Sequence, residues 1–242
     1  MTAAYVYGIV PADATVPDGL AGIGGRPCRA TGPCAAVAAV ISALPASRAL
    51  GTPADLRAHA AVVDALAQSG AVLPLRFGGV LEDEDAVRAE LLEPYQEEFA
   101  GRLAFLGGCD QFTVRGRYEG DVALREIVAE EPEVRSLREQ LRGRDEVAGR
   151  AGNLRLGELV ASALERKREA DAAVLAEALT PHAAAVADRP PGTAATAADM
   201  AFLVSRPRQR GFESAARELG RRWAGRIRLR LVGPQAPYDF TQ

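Results

Sequence analysis

Phe112-Thr113-Val114-Arg115-Gly116-Arg117-Tyr118 and Arg226-Ile227-Arg228-Leu229-Arg230-Leu231-Val232 are the two stretches that decide the fold of this 242-residue chain. In each, every second residue is apolar or small, the period-2 pattern of a strand with one buried face. Between them Leu156, Leu159, Val160, Ala163, Leu164, Val174, Leu175 and Leu179 recur at helical spacing. They predict an amphipathic helix from Asn153 to about Leu179, roughly 40 Å long. Ala201–Ser205 reads as a further strand, and Phe212, Ala215, Ala216, Leu219 and Trp223 mark a second helix. The order β, long α, β, α, β is one strand short of the βαββαβ plan of a ferredoxin-like domain, and the 187 to 200 region is where the missing strand is expected.

Upstream, Tyr5–Val10 is a short β-branched and aromatic strand, and Ala35–Ser42 is an apolar run that favours strand over helix. Pro53 opens a helical pattern that carries His59 and stops at Gly70, and Val72–Phe77 reads as a buried strand closed by Gly78 and Gly79. Asp83 and Asp85 begin a helix striped by Val87, Leu92, Tyr95, Phe99, Leu103 and Leu106 and ended by Gly107 and Gly108. That stop sets the expected boundary. The fold class is therefore α+β in two domains: a small α+β domain over residues 1–107 and a modified ferredoxin-like domain over 108–242. The second carries a variable helical region at about 119–190 and a Pro-rich tail. Within that region one short helix is expected around Glu133–Leu141, and Thr180-Pro181 is read as a break followed by a further turn of helix through Val186.

A chain that is 48% hydrophobic and 25% charged, with a net charge of −3, is of ordinary globular composition and excludes a generic polyanion binder. The charge is uneven. Of the 29 Lys and Arg and 32 Asp and Glu, 7 basic and 12 acidic residues fall in 1–106, leaving 22 and 20 for the remainder. Cys28, Cys34 and Cys109 lack the paired spacing of a zinc site or a disulfide framework, so no metal or cofactor is expected. With no run of about 18 apolar residues, no membrane span is expected either.

Arg115, Arg117, Arg226, Arg228 and Arg230 can share one face of the second sheet, where guanidinium forks suit an acidic partner; a solvated face that discourages edge pairing is the plainer reading. Aromatic residues do not interleave with them as nucleic acid stacking requires, so nucleic acid is not an expected partner. Arg76, inside an apolar run, calls for a carboxylate partner, and Glu82, Asp83, Glu84 and Asp85 lie just downstream. His59 and His182 have no nucleophile elbow near them and read as helical structural histidines. Gly22-Ile23-Gly24-Gly25 lacks the Gly-Lys-Ser/Thr ending of a phosphate loop and reads as a turn. Pro234 and Pro237 stiffen a tail that presents Tyr238 and Phe240, either to its own domain or to a partner.

Several segments in fixed order give the chain a resemblance. Val72-Leu73-Pro74-Leu75-Arg76-Phe77-Gly78 is similar to a Leu-Pro-x-Arg-Phe-Gly signature. Gly233-Pro234-Gln235-Ala236-Pro237-Tyr238-Asp239-Phe240 is similar to a Gly-Pro-Trp-Pro-Pro-Tyr-Ser-Phe tail, from which Gln235, Ala236 and Asp239 depart. With Tyr5-Val6-Tyr7-Gly8, His59, Leu156-Gly157-Glu158-Leu159 and Ala201-Phe202-Leu203-Val204 in their places, the chain resembles the gas vesicle protein F/L family over nearly its whole length. The resemblance implies a non-enzymatic accessory or minor structural protein of the cytoplasm and the gas vesicle. Its implied partners are the hydrophobic shell protein and other accessory proteins, and it supplies no catalytic residue. The residues open to partner-binding or structural roles are then Arg76, Phe77, Arg115, Arg117, Arg226, Arg228, Arg230, Tyr238 and Phe240. The alternative is an α+β enzyme or small-ligand binder using an interdomain cleft with Arg76 and His59.

Overall fold

The computed structural model describes residues 2–45, 48–143, 146–190 and 192–241, with side chains in the 146–179 helix described from Arg150 onward. The chain divides into two compact units, one of residues 1–112, 203–207 and 233–242, the other of 113–202 and 208–232. The tail thus belongs with the first unit, whereas the sequence reading put it in the second domain. Tail residues make backbone and side-chain bonds to Asp64 and Gln111, which local pattern could not reveal.

The first unit holds β1 (Thr2–Pro11), β2 (Cys28–Ala30), β3 (Val37–Pro45), α1 (Pro53–Ser69), β4 (Leu73–Pro74), β5 (Val80–Leu81), α2 (Glu84–Ala86) and α3 (Glu93–Leu106). A π-helical turn at Val87–Leu92 joins α2 to α3. The sheet order is β2-β3-β1-β4, with β5 also on β1. β1 is the centre. Its residues from Ala4 to Val10 are buried, so it reads as a nearly continuous apolar run rather than an alternating one. Gly8 sits where it does because a Cβ there would lie 2.9 Å from the Leu73 carbonyl oxygen, and Gly8 pairs with Pro74.

α1 begins at a capping box: Thr52 accepts from the Asp55 amide and the Asp55 carboxylate accepts from the Thr52 amide. Its inward face, Val62, Val63, Leu66 and Ala67, packs with Tyr5, Tyr7, Val40 and Leu44. Asp83 caps α2 by accepting from the Ala86 amide at 2.8 Å, as the acids at that helix start lead one to expect.

Two expectations fail here. The Val72–Phe77 segment is not one strand: only Leu73–Pro74 pairs as such, and the chain returns to β1 at Val80–Leu81. Leu75 and Gly79 still bond β1 through Tyr7 and Val6, so residues 75–79 bow outward between two points of attachment. In that bow Arg76 is exposed. Among the described residues it forms no ion pair, and Glu84 pairs instead with Arg29.

The second unit contains most of β6 (Cys109–Tyr118), then α4 (Val122–Glu130), α5 (Pro132–Leu141), α6 (Glu146–Leu179), β7 (Ala185–Asp188), most of β8 (Thr196–Ser205), α7 (Gln209–Arg222) and most of β9 (Ile227–Gln235). The sheet order is β7-β8-β6-β9. Taking α6 and α7 as the two crossover helices, this is the ferredoxin-like βαββαβ arrangement. The missing strand is β7, and it takes the residues read as a helical turn through Val186. A 3-10 turn at Thr180–His182 ends the long helix before it. In the 187 to 200 region, residue 191 lies outside the described residues. α4 was not foreseen; Ile127 on α4, Val134 on α5 and Ala163 on α6 form a small apolar cluster that holds the three helices together.

Candidate functional site

Four of the segments that carried the resemblance, those of Tyr5–Gly8, His59, Val72–Gly78 and the tail, meet in the first unit. His59, 4% exposed on α1, stacks on Tyr7 with ring centroids 5.7 Å apart and is met edge-on by Tyr5 and Phe77 at the same distance. Tyr238 from the tail closes the group at 6.5 Å. The polar atoms inside are satisfied. The Leu75 carbonyl can only accept, so His59 donates to it through Nε2 at 3.1 Å and accepts at Nδ1 from the Tyr5 hydroxyl at 2.9 Å. Tyr5 Oη in turn accepts from the Gly78 amide at 3.1 Å. Thus His59 and Tyr5 pin the outward bow of residues 75–79 from inside. Burial pushes the His59 pKa below its ordinary value and raises those of Tyr5 and Tyr238, and it pushes the Tyr7 phenol up to about 12.

Tyr7 Oη is bonded to Ser42 Oγ and accepts from the Ile23 amide, both at 2.8 Å. A Cβ on Gly22 would lie 2.0 Å from that hydroxyl, and Gly24 has φ +67°. The glycine cluster is therefore a turn that seats Ile23 over the Tyr7 hydroxyl, in keeping with the sequence reading.

The tail is fastened at several points. The Ala236 amide donates to Asp64 at 3.2 Å, the Asp239 amide donates to Gln111 Oε1 at 3.0 Å, and Gln111 Nε2 donates back to Asp239 at 2.5 Å. Arg102 donates to the Thr241 carbonyl. Ala236 is fully buried, and Tyr238 and Phe240 are half-buried.

Of the five arginines assigned to one sheet face, four hold that position. Arg115 and Arg117 on β6 and Arg228 and Arg230 on the neighbouring β9 are all exposed. A Cβ on Gly116 would touch Ile227 and Leu229, which puts those residues together on the opposite, apolar face. Arg115 pairs with Asp199 at 2.9 Å and Arg228 with Glu119 at 3.1 Å. Arg226 is the exception and corrects the expectation. It precedes β9 and turns to the helices, with bidentate bonds of 2.6 and 3.0 Å to Asp171 on α6 and a third of 2.7 Å to Glu126 on α4.

The Tyr118 hydroxyl donates to Asp171 at 2.6 Å, and Lys167 bridges Glu126 and Glu130, each at 2.9 Å. The hydrogen bonds to Asp171 raise the Arg226 pKa well above its usual range. Sequence reasoning missed this cluster. Its signal was a carboxylate at a core-facing helical position, since Asp171 lies eight residues after Ala163 and four before Leu175 on the buried stripe.

Among the described residues no group of three or more His, Cys, Asp or Glu is placed to hold a metal ion, and no helix is long and apolar enough to cross a membrane. Both His59 nitrogens are taken by the protein itself, so His59 has no free valence to offer a substrate, and Arg76 stands exposed.

The fold and its buried aromatic group define an α+β protein with a ferredoxin-like second unit, in which the residues common to its motifs serve to tie strand, helix, bow and tail together. The chain belongs to the gas vesicle synthesis protein GvpL/GvpF family, whose model matches residues 3–242. It is 34% identical to a gas vesicle protein F of a Streptomyces species, over 98% of this chain and 99% of that protein. It is 33% identical to a gas vesicle protein L of the same genus, over 98% and 92%. Crystal structures of GvpF from an Anabaena species and from Microcystis aeruginosa superpose with TM-scores of 0.85 and 0.82. They share 23% and 22% identity with it, cover 100% of this chain, and are themselves covered to 99% and 100%; at that identity the likeness is one of fold.

Proposed function

We propose that this chain, as a gas vesicle accessory protein of the cytoplasm, assists assembly by binding the hydrophobic shell protein and other accessory proteins, and that it does so without catalysing a reaction. The observation that carries the reading is the family match over residues 3–242. Because Tyr5, His59, Phe77 and Tyr238 are spent on holding the first unit together, what the protein offers outward is surface rather than a reaction centre. A shell subunit able to line a gas-filled space exposes apolar area before assembly and aggregates, so a partner that covers this area helps deliver it. The test is co-expression of the shell protein with and without this chain at matched levels. A raised soluble fraction of the shell protein is expected; unchanged pelleting overturns the proposal.

A further inference from the structure

β9 is the outermost strand of the second unit's sheet, and its outer edge has no strand partner among the described residues. Such an edge is normally blunted, because its unpaired backbone groups invite another chain. Here it borders an open groove of about 490 Å³ between α7 and β9. The groove exists because α7 has no bulk where it faces the strand: a Cβ on Gly220 would still be 3.9 Å from the nearest Leu229 carbons. Leu229 and Leu231 reach into it and are left only half-buried. Arg217, Arg221 and Arg228 stand around it. Their present partners, Glu213, Glu218 and Glu119, belong to pairs with largely exposed arginines, which are cheap to exchange.

The two faces of β9 differ in kind. Ile227, Leu229 and Leu231 point to the groove side, and Arg228 and Arg230 to the open side. A strand added beside β9 places its own side chains alternately on the same two sides. We propose that the β9 edge with the α7 groove is a docking site for an extended segment of a partner protein in which apolar and acidic residues alternate. The apolar residues would fill the groove over Leu229 and Leu231. The carboxylates would stand opposite Arg228 and Arg230, the favourable cross-strand pairing. Strand addition supplies affinity through the backbone and specificity through alternate side chains. This inference does not depend on which protein the assembly role involves.

The probe is a fluorescein-labelled ten-residue peptide of alternating valine and glutamate, titrated against the full chain by anisotropy. Peptides of alternating valine and lysine and of alternating serine and glutamate are the controls. Saturable binding of the first is expected, with both controls weaker by about tenfold or more. Gly220→Leu, which fills the groove, should weaken binding by a similar factor. Arg228→Glu with Arg230→Glu should shift preference to the lysine peptide. Both variants alter exposed or open positions, and circular dichroism confirms that they fold. Hydrogen exchange should slow within residues 227–232 when the peptide is bound. Equal binding of the serine peptide would reduce the site to an arginine surface and overturn the proposal. So would protection elsewhere, an absence of saturable binding, or self-association of the chain through β9.

Discussion

Tyr238 of the tail has its ring 6.5 Å from that of His59, and so the tail is part of the first unit's core. Its phenol is held well above its ordinary pKa by burial, the mark of a group packed in place rather than held out to solvent.

Deleting residues 234–242 should therefore destabilise the protein. Burying large side chains is worth about 1.5 to 3 kcal/mol each, less the cost of ordering the segment, so a loss of roughly 2 to 4 kcal/mol is expected. Denaturant unfolding of the truncated and full chains measures it. A truncation that unfolds at the parent's midpoint would show that the docked tail contributes nothing.

His59 predicts a pH dependence. Its folded pKa lies below the unfolded value near 6.5, so between the two the unfolded chain binds more protons and stability rises with pH. The stabilisation is full above about pH 6.5 and is lost as pH falls through the lowered folded value. His59→Gln, which cannot titrate, should flatten that part of the stability profile. A profile identical to the parent's between pH 6.5 and 5 would place its origin in other groups.

Arg226 and Arg228 are two residues apart and should behave differently. Arg226→Ala leaves Asp171, 6% exposed, with Tyr118 as its remaining partner. Removing one member of a buried pair costs about 3 kcal/mol or more. Arg228, whose side chain is 79% exposed in its pair with Glu119, should cost less than about 1 kcal/mol on the same change. Thermal melts of both variants compare them directly, and equal losses would contradict the burial difference.

Arg76→Ala should alter the melting temperature little, because an exposed residue that forms no ion pair among the described residues contributes within about 0.5 kcal/mol. If the same variant lowers the co-solubility of the shell protein, Arg76 acts at the contact surface. A large drop in melting temperature would instead restore the structural pairing expected from its apolar neighbours.

Much of the fold was legible because it is written in short periods. The alternation at 112–118 and 226–232 gave two adjacent strands of the second sheet, and the long apolar stripe gave α6. The residues of β7 were not legible. Ala185–Asp188 is four residues long, too short to show a period, and it becomes a strand only because β8 lies beside it. Arg226 has the same parity as Arg228 and Arg230, and parity alone put it on their face. The acids that turn it away come from α4 and α6, 100 and 55 residues distant.

By itself the sequence determined the α+β class, the ferredoxin-like order of the second half, most helix boundaries and, through six ordered segments, the family. Those are properties of local pattern and residue identity. Tertiary structure alone decided that the tail packs with the first unit, that Arg76 is exposed on a bow pinned by His59 and Tyr5, and that Arg226 leaves the arginine face for a buried cluster. Each depends on which distant carbonyl, carboxylate or ring comes within hydrogen-bonding or packing distance, and no window along the chain carries that information.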